Sequence, residues 1–413
     1  SPARLGNKNA WGMLRIRATH KIYSKKHQYS NEYEIPVLTA GKSFLLGYTN
    51  DTENIFTQTP VIIFDDFTTD SKFVDFHFKV KSSAMKILHA TKIANIKFVF
   101  YFMQTIQYRS DTHKRYWISE YAKLPIPLPP IEVQKAIVEK LENAFAHIDE
   151  AVHHLKAVQT NIPLLKSSLL HCAFSGKLTE SQNQSHEVQT LKSVVGVEGE
   201  FERKEGDTSP FKPPHPLIKT EIPQGWEIKT LGEVCEILDN MRKPINADER
   251  GQRLKKAENR YPYYGATGQV GYIDDYLCDF EAILLGEDGA PFLEFMKNKA
   301  YIVSGKYWVN NHAHILKTKE NIANNKFICH FLNILDYTPY VSGTTRLKLN
   351  QSSMKQIKIP LPPLETQNQI VQILESKFAH LEKLAQFVNA SLENLQRLKS
   401  SLLNQAFKGE LIC

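Results

Sequence analysis

The hydrophobic and polar positions of the chain follow a helical period most clearly in two long segments. One begins at Ile126 and reads IPLPPIEVQKAIVEKLENAFAHI, and the other begins at Ile359 and reads IPLPPLETQNQIVQILESKFAHL. In both, apolar residues recur at alternating steps of three and four, a spacing that predicts an amphipathic helix with a coiled-coil seam. The predicted seam residues are Val138, Leu141, Phe145, Ile148, Val152 and Leu155 in the first helix, and Val371, Leu374, Phe378, Leu381, Val388, Leu392 and Leu395 in the second.

The two segments are copies of one another. An offset of 233 residues aligns 126–178 with 359–411 without a gap, and roughly half of the aligned positions are identical. Similarity of this length indicates an internal duplication. Each copy supplies one apolar seam, and a globular segment precedes each copy. We therefore predict that the two helices pack against each other in antiparallel orientation about a pseudo-two-fold axis.

The ends of these helices are marked by proline and glycine. The Pro-Leu-Pro-Pro run at the start of each copy predicts an extended lead-in followed by a helix start. Pro163 has no counterpart in the second copy, so the first helix is predicted to break or kink near 161–163 and to continue as a second, shorter helix. Gly176 and Gly409 are predicted to stop the two helices.

The segments before the helices, module 1 (residues 1–123) and module 2 (residues 223–356), have the composition of mixed α/β (α+β) domains. Short strands are predicted at Pro60–Phe64 and Glu281–Leu285. IPVLTAGKSFLLGYTND of module 1 resembles YPYYGATGQVGYIDD of module 2. NIKFVFYFMQTI of module 1 resembles NNKFICHFLNIL of module 2, and both of these segments are predicted to form amphipathic helices. The modules therefore share a plan and differ in detail.

These patterns divide the chain into five parts. They are module 1 at 1–123, a helical region at 124–178, a flexible linker at 179–222, module 2 at 223–356 and a second helical region at 357–413. The linker is predicted because its sequence is polar, acidic and proline-bearing, without periodic apolar residues.

Charge is unevenly distributed along the chain. The formal net charge is +7; module 1 holds 18 Lys and Arg against 10 Asp and Glu, or +8, and module 2 holds 17 against 16, or +1. A basic excess in one globular unit suits a polyanion such as DNA. The five cysteines lie far apart without a CxxC pair, which indicates a reducing cytoplasm and argues against a zinc ribbon. No apolar run reaches membrane-spanning length.

DNA binding predicts a specific set of contact residues. Lys and Arg neutralise phosphates, while Arg, Asn and Gln read base edges in the major groove. The predicted contacts in module 1 are Thr39, Lys42, Tyr48, Lys79, Lys81, Ser82, Ser83, Lys114 and Arg115. Those in module 2 are Tyr264, Thr267, Gln269, Tyr272, Lys306, Arg346, Lys348 and Asn350. Each of them has the alternative role of a solvated charge or a packed aromatic.

Catalytic interpretations are weaker. GATGQVG at 265–271 lacks the strand-before, helix-after context of a phosphate loop. No Walker motif or Asn-Pro-Pro-Tyr methylase motif is present, and we predict no catalytic and no metal site. Asp65, Asp66, Asp75 and Lys79 are the candidates for a nuclease site. The candidates for a metal site are Asn310, Asn311, His312 and His314, which have the alternative role of strand or turn residues that contact bases.

The whole order of segments resembles the specificity (S) subunit of type I restriction-modification systems. The resemblance is carried by the two PLPP-led helices, by GWEIKTLGEVCEI from Gly225, by VLTAGKSFLLGYTND from Val37 and by SGTTRLKLNQSSM from Ser342. It implies two target-recognition domains separated by two antiparallel helices, which read a bipartite DNA target. It also implies two methylation subunits and restriction subunits as partners. S-adenosylmethionine, ATP and magnesium would then be used by the partners, and no cofactor by this chain.

Two other functions stay open from the sequence. A coiled-coil scaffold that binds only protein would have the same helices, and a nuclease or methyltransferase would need turnover by the chain alone. The solvent faces of the helices and the tails containing Phe174 and Phe407 are candidate docking surfaces for methylation subunits, with packing in the chain's own core as the alternative.

Overall fold

The computed structural model describes residues 14–17, 30, 32–39, 43–81, 85–106, 117, 121, 124–180, 222–294 and 297–411. The chain forms two compact units. Unit 1 contains residues 1–155 and 389–413, and unit 2 contains residues 156–388. The two boundaries, after Leu155 and after Val388, are equivalent positions of the duplication, because they differ by 233 residues. Each unit therefore holds one module and half of each long helix.

The described residues of module 1 form seven strands and one helix. The strands are β1 (Leu14–Arg17), β2 (Ile35–Leu38), β3 (Leu45–Thr49), β4 (Val61–Asp65), β5 (Ser71–Val74), β6 (Lys79–Val80) and β7 (Met85–Ala90), and the helix is α1 (Ile96–Thr105). One sheet has the order β1-β7-β4-β5 and a smaller sheet the order β3-β2-β6. The four buried residues at the start of β4 lie in the core, which confirms the strand predicted there.

Module 2 is preceded by the long helix α2 (Ile131–Phe174) and the short helix α3 (Lys177–Glu180). Its elements are β8 (Glu227–Thr230), α4 (Leu231–Val234), β9 (Cys235–Ile237), a 3₁₀ turn (Asp239–Met241), α5 (Ala247–Leu254), β10 (Tyr261–Gly265), β11 (Gly268–Ile273), β12 (Cys278–Asp279), β13 (Ala282–Gly286), β14 (Ala300–Val303), β15 (Lys306–Val309), β16 (Ala313–Thr318), α6 (Asn325–Ile334) and α7 (Gln351–Lys355). After it come β17 (Lys358–Leu361) and the long helix α8 (Leu364–Lys408). The sheets have the orders β14-β13-β16-β9, β11-β10-β15-β12 and β17-β8.

The two modules share one topology. In each, an antiparallel hairpin carries a parallel third strand: β2 pairs with β3 and β6, and β10 pairs with β11 and β15. Both hairpins have a register shift, at Val37/Leu38 and at Tyr263/Tyr264. The helices α1 and α6 follow the larger sheets and have asparagine N-caps, Asn95 and Asn324. The predicted common plan is confirmed for the described residues.

The helix α2 runs through Pro163 without a break, so the predicted separate helix after 163 is wrong. Proline removes one amide donor from the helix, and the structure has Pro163 exposed. At an exposed position the carbonyl of the preceding turn is accessible to water, which offsets part of the cost of the missing hydrogen bond. The neighbouring Ile162 is buried. Both long helices end beside glycines with positive φ, Gly176 at +79° and Gly409 at +83°, as predicted.

Within unit 1, the two long helices run antiparallel. Lys399 of α8 is ion-paired with Asp149 of α2 at 2.8 Å, and the Lys140 ammonium donates to the carbonyl of Leu411 at 3.0 Å. Positions further along α8 therefore meet positions further back on α2. Phe407, near the end of α8, packs on α1 with its ring centroid 5.0 Å from that of Phe98.

Unit 2 contains the same contacts with the two helices exchanged. Lys166 of α2 is ion-paired with Glu382 of α8 at 3.3 Å, and Phe174 packs on α6 with its ring centroid 5.0 Å from that of Phe327. Lys166, Glu382 and Phe174 are each 233 residues away from Lys399, Asp149 and Phe407. Equivalent residues of the duplication thus make the same contacts inside both units, and the predicted antiparallel pairing of α2 and α8 is confirmed.

The predicted seam residues are only partly a helix-to-helix seam. The buried ones are Val138, Leu141, Phe145, Ile148, Val371, Leu374 and Val388, whereas Val152, Leu155, Phe378, Leu381, Leu392 and Leu395 are half-buried. Val138, Leu141, Phe145 and Ile148 share one core with α1 and the end of α8. Likewise, Val371 and Leu374 join the core of module 2. The seam therefore also attaches each module to the helices, a role that periodicity alone does not reveal.

Candidate nucleic-acid interface

The exposed face of module 2 is formed where several strands end. The β10–β11 turn carries Thr267 and Gln269, both exposed, and Tyr272 follows on β11 with half of its surface exposed. The turn packs against the loop after β13, because a Cβ added at Gly286 would lie 3.1 Å from the carbonyl oxygen of Ala266. That loop contacts the 342–350 segment in turn, since Asp288 and Lys348 form an isolated β-bridge.

Two acids at the end of β13 hold the cations of the 342–350 segment. Asp288 accepts from the Arg346 guanidinium at 3.2 Å, and Glu287 pairs with the Lys348 ammonium at 3.0 Å. The side chain of Arg346 is nevertheless 61% exposed. A guanidinium has five N–H donors. Arg346 is therefore oriented by Asp288 while it still presents donors to solvent.

The buried histidine His314 also binds the 342–350 segment, through the backbone of Leu349. His314 is 1% exposed; its Nδ1 lies 2.7 Å from Asp239 Oδ2 and its Nε2 lies 2.9 Å from the carbonyl oxygen of Leu349. Both partners are oxygen acceptors, so each ring nitrogen of His314 lies within hydrogen-bond distance of an acceptor. Arg242 bridges Asp239 and Glu287 at 3.2 Å and 2.5 Å. The loop backbone and its two supporting acids thus belong to one charged network.

The network keeps its acids ionised despite their burial. Burial raises the pKa of Asp239, but the hydrogen bond and charge of His314 and the charge of Arg242 outweigh it, and the pKa lies below its usual value. Burial likewise raises the pKa of Glu287, and hydrogen bonds from Arg242 and Lys348 more than offset it, so this pKa is also lowered. Because both pKa values are lowered, the carboxylates of Asp239 and Glu287 remain negatively charged.

The structure brings most, but not all, of the predicted module 2 residues together. Tyr264 is half-buried against Tyr301 and Tyr307, and burial raises the pKa of its hydroxyl. Lys306 stands at the opposite end of β15 from Asn310, over the ring of Tyr276 at 4.7 Å, so it lies apart from the group. The Asn350 side chain caps α7 by accepting from the Ser353 amide at 2.8 Å. That role occupies the side-chain oxygen of a residue that is predicted to contact DNA.

In module 1 the structure describes only part of the predicted set. Thr39 follows β2 and Tyr48 lies on β3, both half-buried, and Lys81 is exposed after β6. Lys79 is 2% exposed and is ion-paired with Asp51, so in this arrangement its ammonium serves the interior and not a phosphate. The predicted contacts that lie outside the described residues are Lys42, Ser82, Ser83, Lys114 and Arg115.

Sequence reasoning did not identify the residues that hold this interface together. No sequence pattern points to Asp239, Arg242, Glu287 or Asp288, and His314 is predicted only as a metal ligand or as a strand or turn residue that contacts bases. Apart from the Arg242–Asp239 pair, which lies three residues apart, their contacts join residues at least 24 positions apart in the sequence. No local period or spacing signals such contacts, and only a buried-charge pattern across several strands reveals them.

The residues weighed for catalysis have separate partners. The Asp65 carboxylate accepts from the amides of its own turn, and Asp66 accepts from the Trp117 amide at 2.8 Å. His312 is bound to Asp288, 2.5 Å away. Within the described ranges no three His, Cys, Asp or Glu side chains form a group that could hold a metal ion.

None of the helices in the described part of the chain combines the length and the apolar character that a membrane-crossing helix needs.

The described residues form two similar α/β modules, and each module is joined to halves of two antiparallel helices. Module 2 carries charged side chains on its loops. These features define a duplicated modular protein. The chain belongs to the family described as type I restriction modification DNA specificity domain, whose sequence pattern matches residues 12–158 and 223–394. The putative type I restriction enzyme specificity subunit S.HindORF215P of Haemophilus influenzae is 37% identical over 150 residues, which are 36% of this chain and 37% of the relative. The EcoR124I/EcoR124II specificity subunit of Escherichia coli is 41% identical over 163 residues, or 36% of this chain and 40% of the relative. Both matches span less than half of the relative's length.

Solved structures share the fold at low sequence identity. A chain from a study of complex assembly and conformational transition of the type I R-M system has a TM-score of 0.63 at 16% identity, and the match covers 99% of this chain and 100% of that one. The HsdS subunit from Thermoanaerobacter tengcongensis has a TM-score of 0.52 at 18% identity, covering 86% and 82%. These likenesses establish the fold of specificity subunits for this chain.

Proposed function

We propose that this chain is the DNA sequence-recognition subunit of a type I restriction-modification complex and is not itself an enzyme. The observation that carries the proposal is the duplicated plan: two modules of one topology but different loop sequences, each fastened to antiparallel helices by equivalent contacts. Two unlike reading surfaces on one repeated frame suit a target with two different half-sites and an unread spacer.

Module 2 would read its half-site with the loops described above. Arg346 and Lys348, held by Asp288 and Glu287, would reach bases or phosphates together with Thr267, Gln269 and Tyr272. Tyr264 and Asn350 would support these loops. Module 1 would use Tyr48 and Lys81 and its own equivalent loops, with the predicted contacts Lys42, Ser82, Ser83, Lys114 and Arg115. Its excess of +8 would make binding sensitive to salt.

The chemistry would belong to partner subunits in the cytoplasm. Two methylation subunits would use S-adenosylmethionine, and restriction subunits would use ATP and magnesium. Phe174 is buried in unit 2, so the helix tails are part of the core and the exposed helix faces are the better docking surface. On α8, Leu384 and Phe387 are exposed by 39% and 66% and offer apolar area to a methylation subunit.

The test is selection of duplexes from a randomised DNA library by the purified full chain. We expect the bound duplexes to share two short motifs at a constant separation, and we expect affinity to fall steeply between 50 mM and 200 mM salt. Duplexes that keep only one motif are the control and should bind more weakly. Absence of DNA binding would favour the scaffold, and methylation or cleavage by the chain alone with magnesium and S-adenosylmethionine would favour an enzyme.

A further inference from the structure

Each long helix carries one buried glutamine in its first turn. In unit 1, Gln134 is 0% exposed; its Oε1 accepts from the Asn95 amide at 2.8 Å, and its Nε2 donates to the carbonyls of Ile93 at 3.0 Å and Pro129 at 2.8 Å. The side chain thus joins three segments: the loop before α1, the proline lead-in and α2.

Unit 2 repeats this arrangement with Gln367, which is also 0% exposed. Its Oε1 accepts from the Asn324 amide at 2.9 Å, and its Nε2 donates to the carbonyls of Ile322 at 3.0 Å and Pro362 at 2.8 Å. The acceptor and both donors are satisfied in each copy, so neither glutamine is a chance burial. We call each set of three hydrogen bonds a glutamine joint.

The atoms that the joints hold determine where each module helix starts. Asn95 and Asn324 are the N-caps of α1 and α6, and each side chain accepts from the amides two and three residues further on. One buried amide therefore fixes the first turn of the module helix against the first turn of the long helix. A buried apolar side chain would fill the same space but would not impose one orientation on the two helices. The hydrogen bonds from the glutamine to backbone atoms require a single register between the module helix and the long helix.

A second contact lies eight residues further along each long helix. Lys97 of α1 pairs with Glu142 of α2 at 2.5 Å, and the equivalent Lys326 of α6 pairs with Glu375 of α8. Eight residues of helix are about 12 Å. On the module helix both attachments lie in the first turn, so together they fix the position and direction of that turn against the long helix.

We propose that Gln134 and Gln367 are positioning residues that set the angle at which each module is held on the helix pair, and thereby the number of unread base pairs between the two half-sites. This inference rests on the proposed function. Rotation of either module about its joint would move that module's reading loops along the DNA while leaving the loops themselves unchanged. The joints would therefore control spacing and not base preference.

The experiment measures spacer selectivity of the assembled complex. The two half-sites found for the wild-type protein are placed at separations that differ by single base pairs, and the bound fraction at each separation is sequenced. We expect the wild type to prefer one separation. We expect Gln134→Leu and Gln367→Leu each to raise the relative occupancy of separations one base pair longer and shorter by at least fivefold, with unchanged base preference in both half-sites.

The control is Gln369→Leu, an exposed position two residues beyond Gln367 on the same helix, which should keep the wild-type profile. If the leucine variants do not fold, Lys326→Glu is the variant that tests the inference. Lys326 and Glu375 are each about half exposed, so we expect this substitution to leave the fold intact. It should broaden the profile, and Lys326→Glu with Glu375→Lys should restore it.

The outcomes separate the inference from the function on which it rests. A folded Gln367→Leu protein with the wild-type separation overturns the inference, as does a change of base preference without a change of separation. The same holds if the charge-reversed pair fails to restore a broadened profile. A wild-type complex that selects no pair of half-sites overturns the proposed function instead.

Discussion

At the residue scale, the exposed cations of module 2 are held in place by neighbouring acids. Asp288 and Glu287 orient Arg346 and Lys348, and the buried His314 binds the carbonyl of Leu349, the residue that follows Lys348. Side chains that are already oriented lose less conformational entropy when they bind. The network therefore supports recognition by a loop that is in place before DNA arrives.

Replacement of Arg346 by alanine tests this interface. Because its remaining donors face solvent, we expect Arg346→Ala to weaken binding to the complete target by about 1–3 kcal/mol and to relax base preference in one half-site only. The measurement is a binding titration with wild-type and single-base-changed duplexes. Arg397→Ala is the matched control, since Arg397 is an exposed arginine of α8 outside module 2. An equal loss for both variants would mean that Arg346 contributes only general charge.

A second prediction at this scale concerns Lys299, which is 1% exposed and donates to the carbonyls of Glu294 and Asn333. Burial lowers its pKa from 10.5 to about 8. Below pH 8 the lysine is protonated in the folded and unfolded states, so the cost of burying its charge is fully present. Between pH 8 and the unfolded value of about 10.4 only the unfolded state keeps the proton, and the free energy of unfolding rises with pH.

We therefore expect wild-type protein to gain stability relative to Lys299→Met as the pH increases from 7 to 10, by about 1.4 kcal/mol for each unit of the pKa difference. Denaturant unfolding across this range is the measurement. Lys297→Met, at an exposed lysine two residues away, should show no such gain. A difference that stays constant with pH would contradict the lowered pKa.

At the element scale, the end of each helical repeat completes the core of the module that belongs to the other repeat. Phe174 of α2 packs between Phe327 and Phe331 of α6, and Phe407 of α8 packs on Phe98 and Phe102 of α1. The helices are thus structural parts of both cores. Sequence periodicity identified the helices, while these aromatic contacts decide how they are attached.

Truncation of Phe174 measures this attachment. The side chain is 2% exposed, so we expect Phe174→Ala to destabilise unit 2 by about 3–5 kcal/mol. Hydrogen exchange should show lost protection in α6, the helix on which the ring packs. Phe387→Ala is the control, because Phe387 is 66% exposed and its removal should change stability by no more than about 0.5 kcal/mol. Unchanged protection in α6 after loss of Phe174 would argue against a shared core.

At the scale of the whole molecule, the duplication determines how the chain is divided. The unit boundaries fall after Leu155 and Val388, at the same place in both repeats. The division is therefore a property of the repeat. If the helices act as a spacer, equal additions at both boundaries should change separation and nothing else.

Insertion of one heptad after Leu155 and one after Val388 tests the spacer. Seven residues add about 10 Å of helix, equivalent to about three base pairs. We expect the unread gap to lengthen by up to that number while both half-sites keep their sequences, as measured by selection from a random library. A heptad in one helix only should disrupt the pairing and abolish selection. Altered half-site sequences in the double insertion would contradict a spacer role.

The sequence by itself determined the two long helices, their duplication, their glycine ends, and the strands at β4 and β13. These features depend on short-range periodicity and on the special backbone preferences of glycine and proline, which can be recognised from the sequence alone. Only the tertiary structure decided that Lys79 is buried against Asp51, that α2 continues through Pro163, and that Gln134 joins three segments. The ion pair and the glutamine joint link residues about 30 to 40 positions apart, and the proline is tolerated because its face of α2 meets solvent. Which side chains are buried, and which distant residues they contact, depends on how the whole chain packs. No local sequence pattern indicates either.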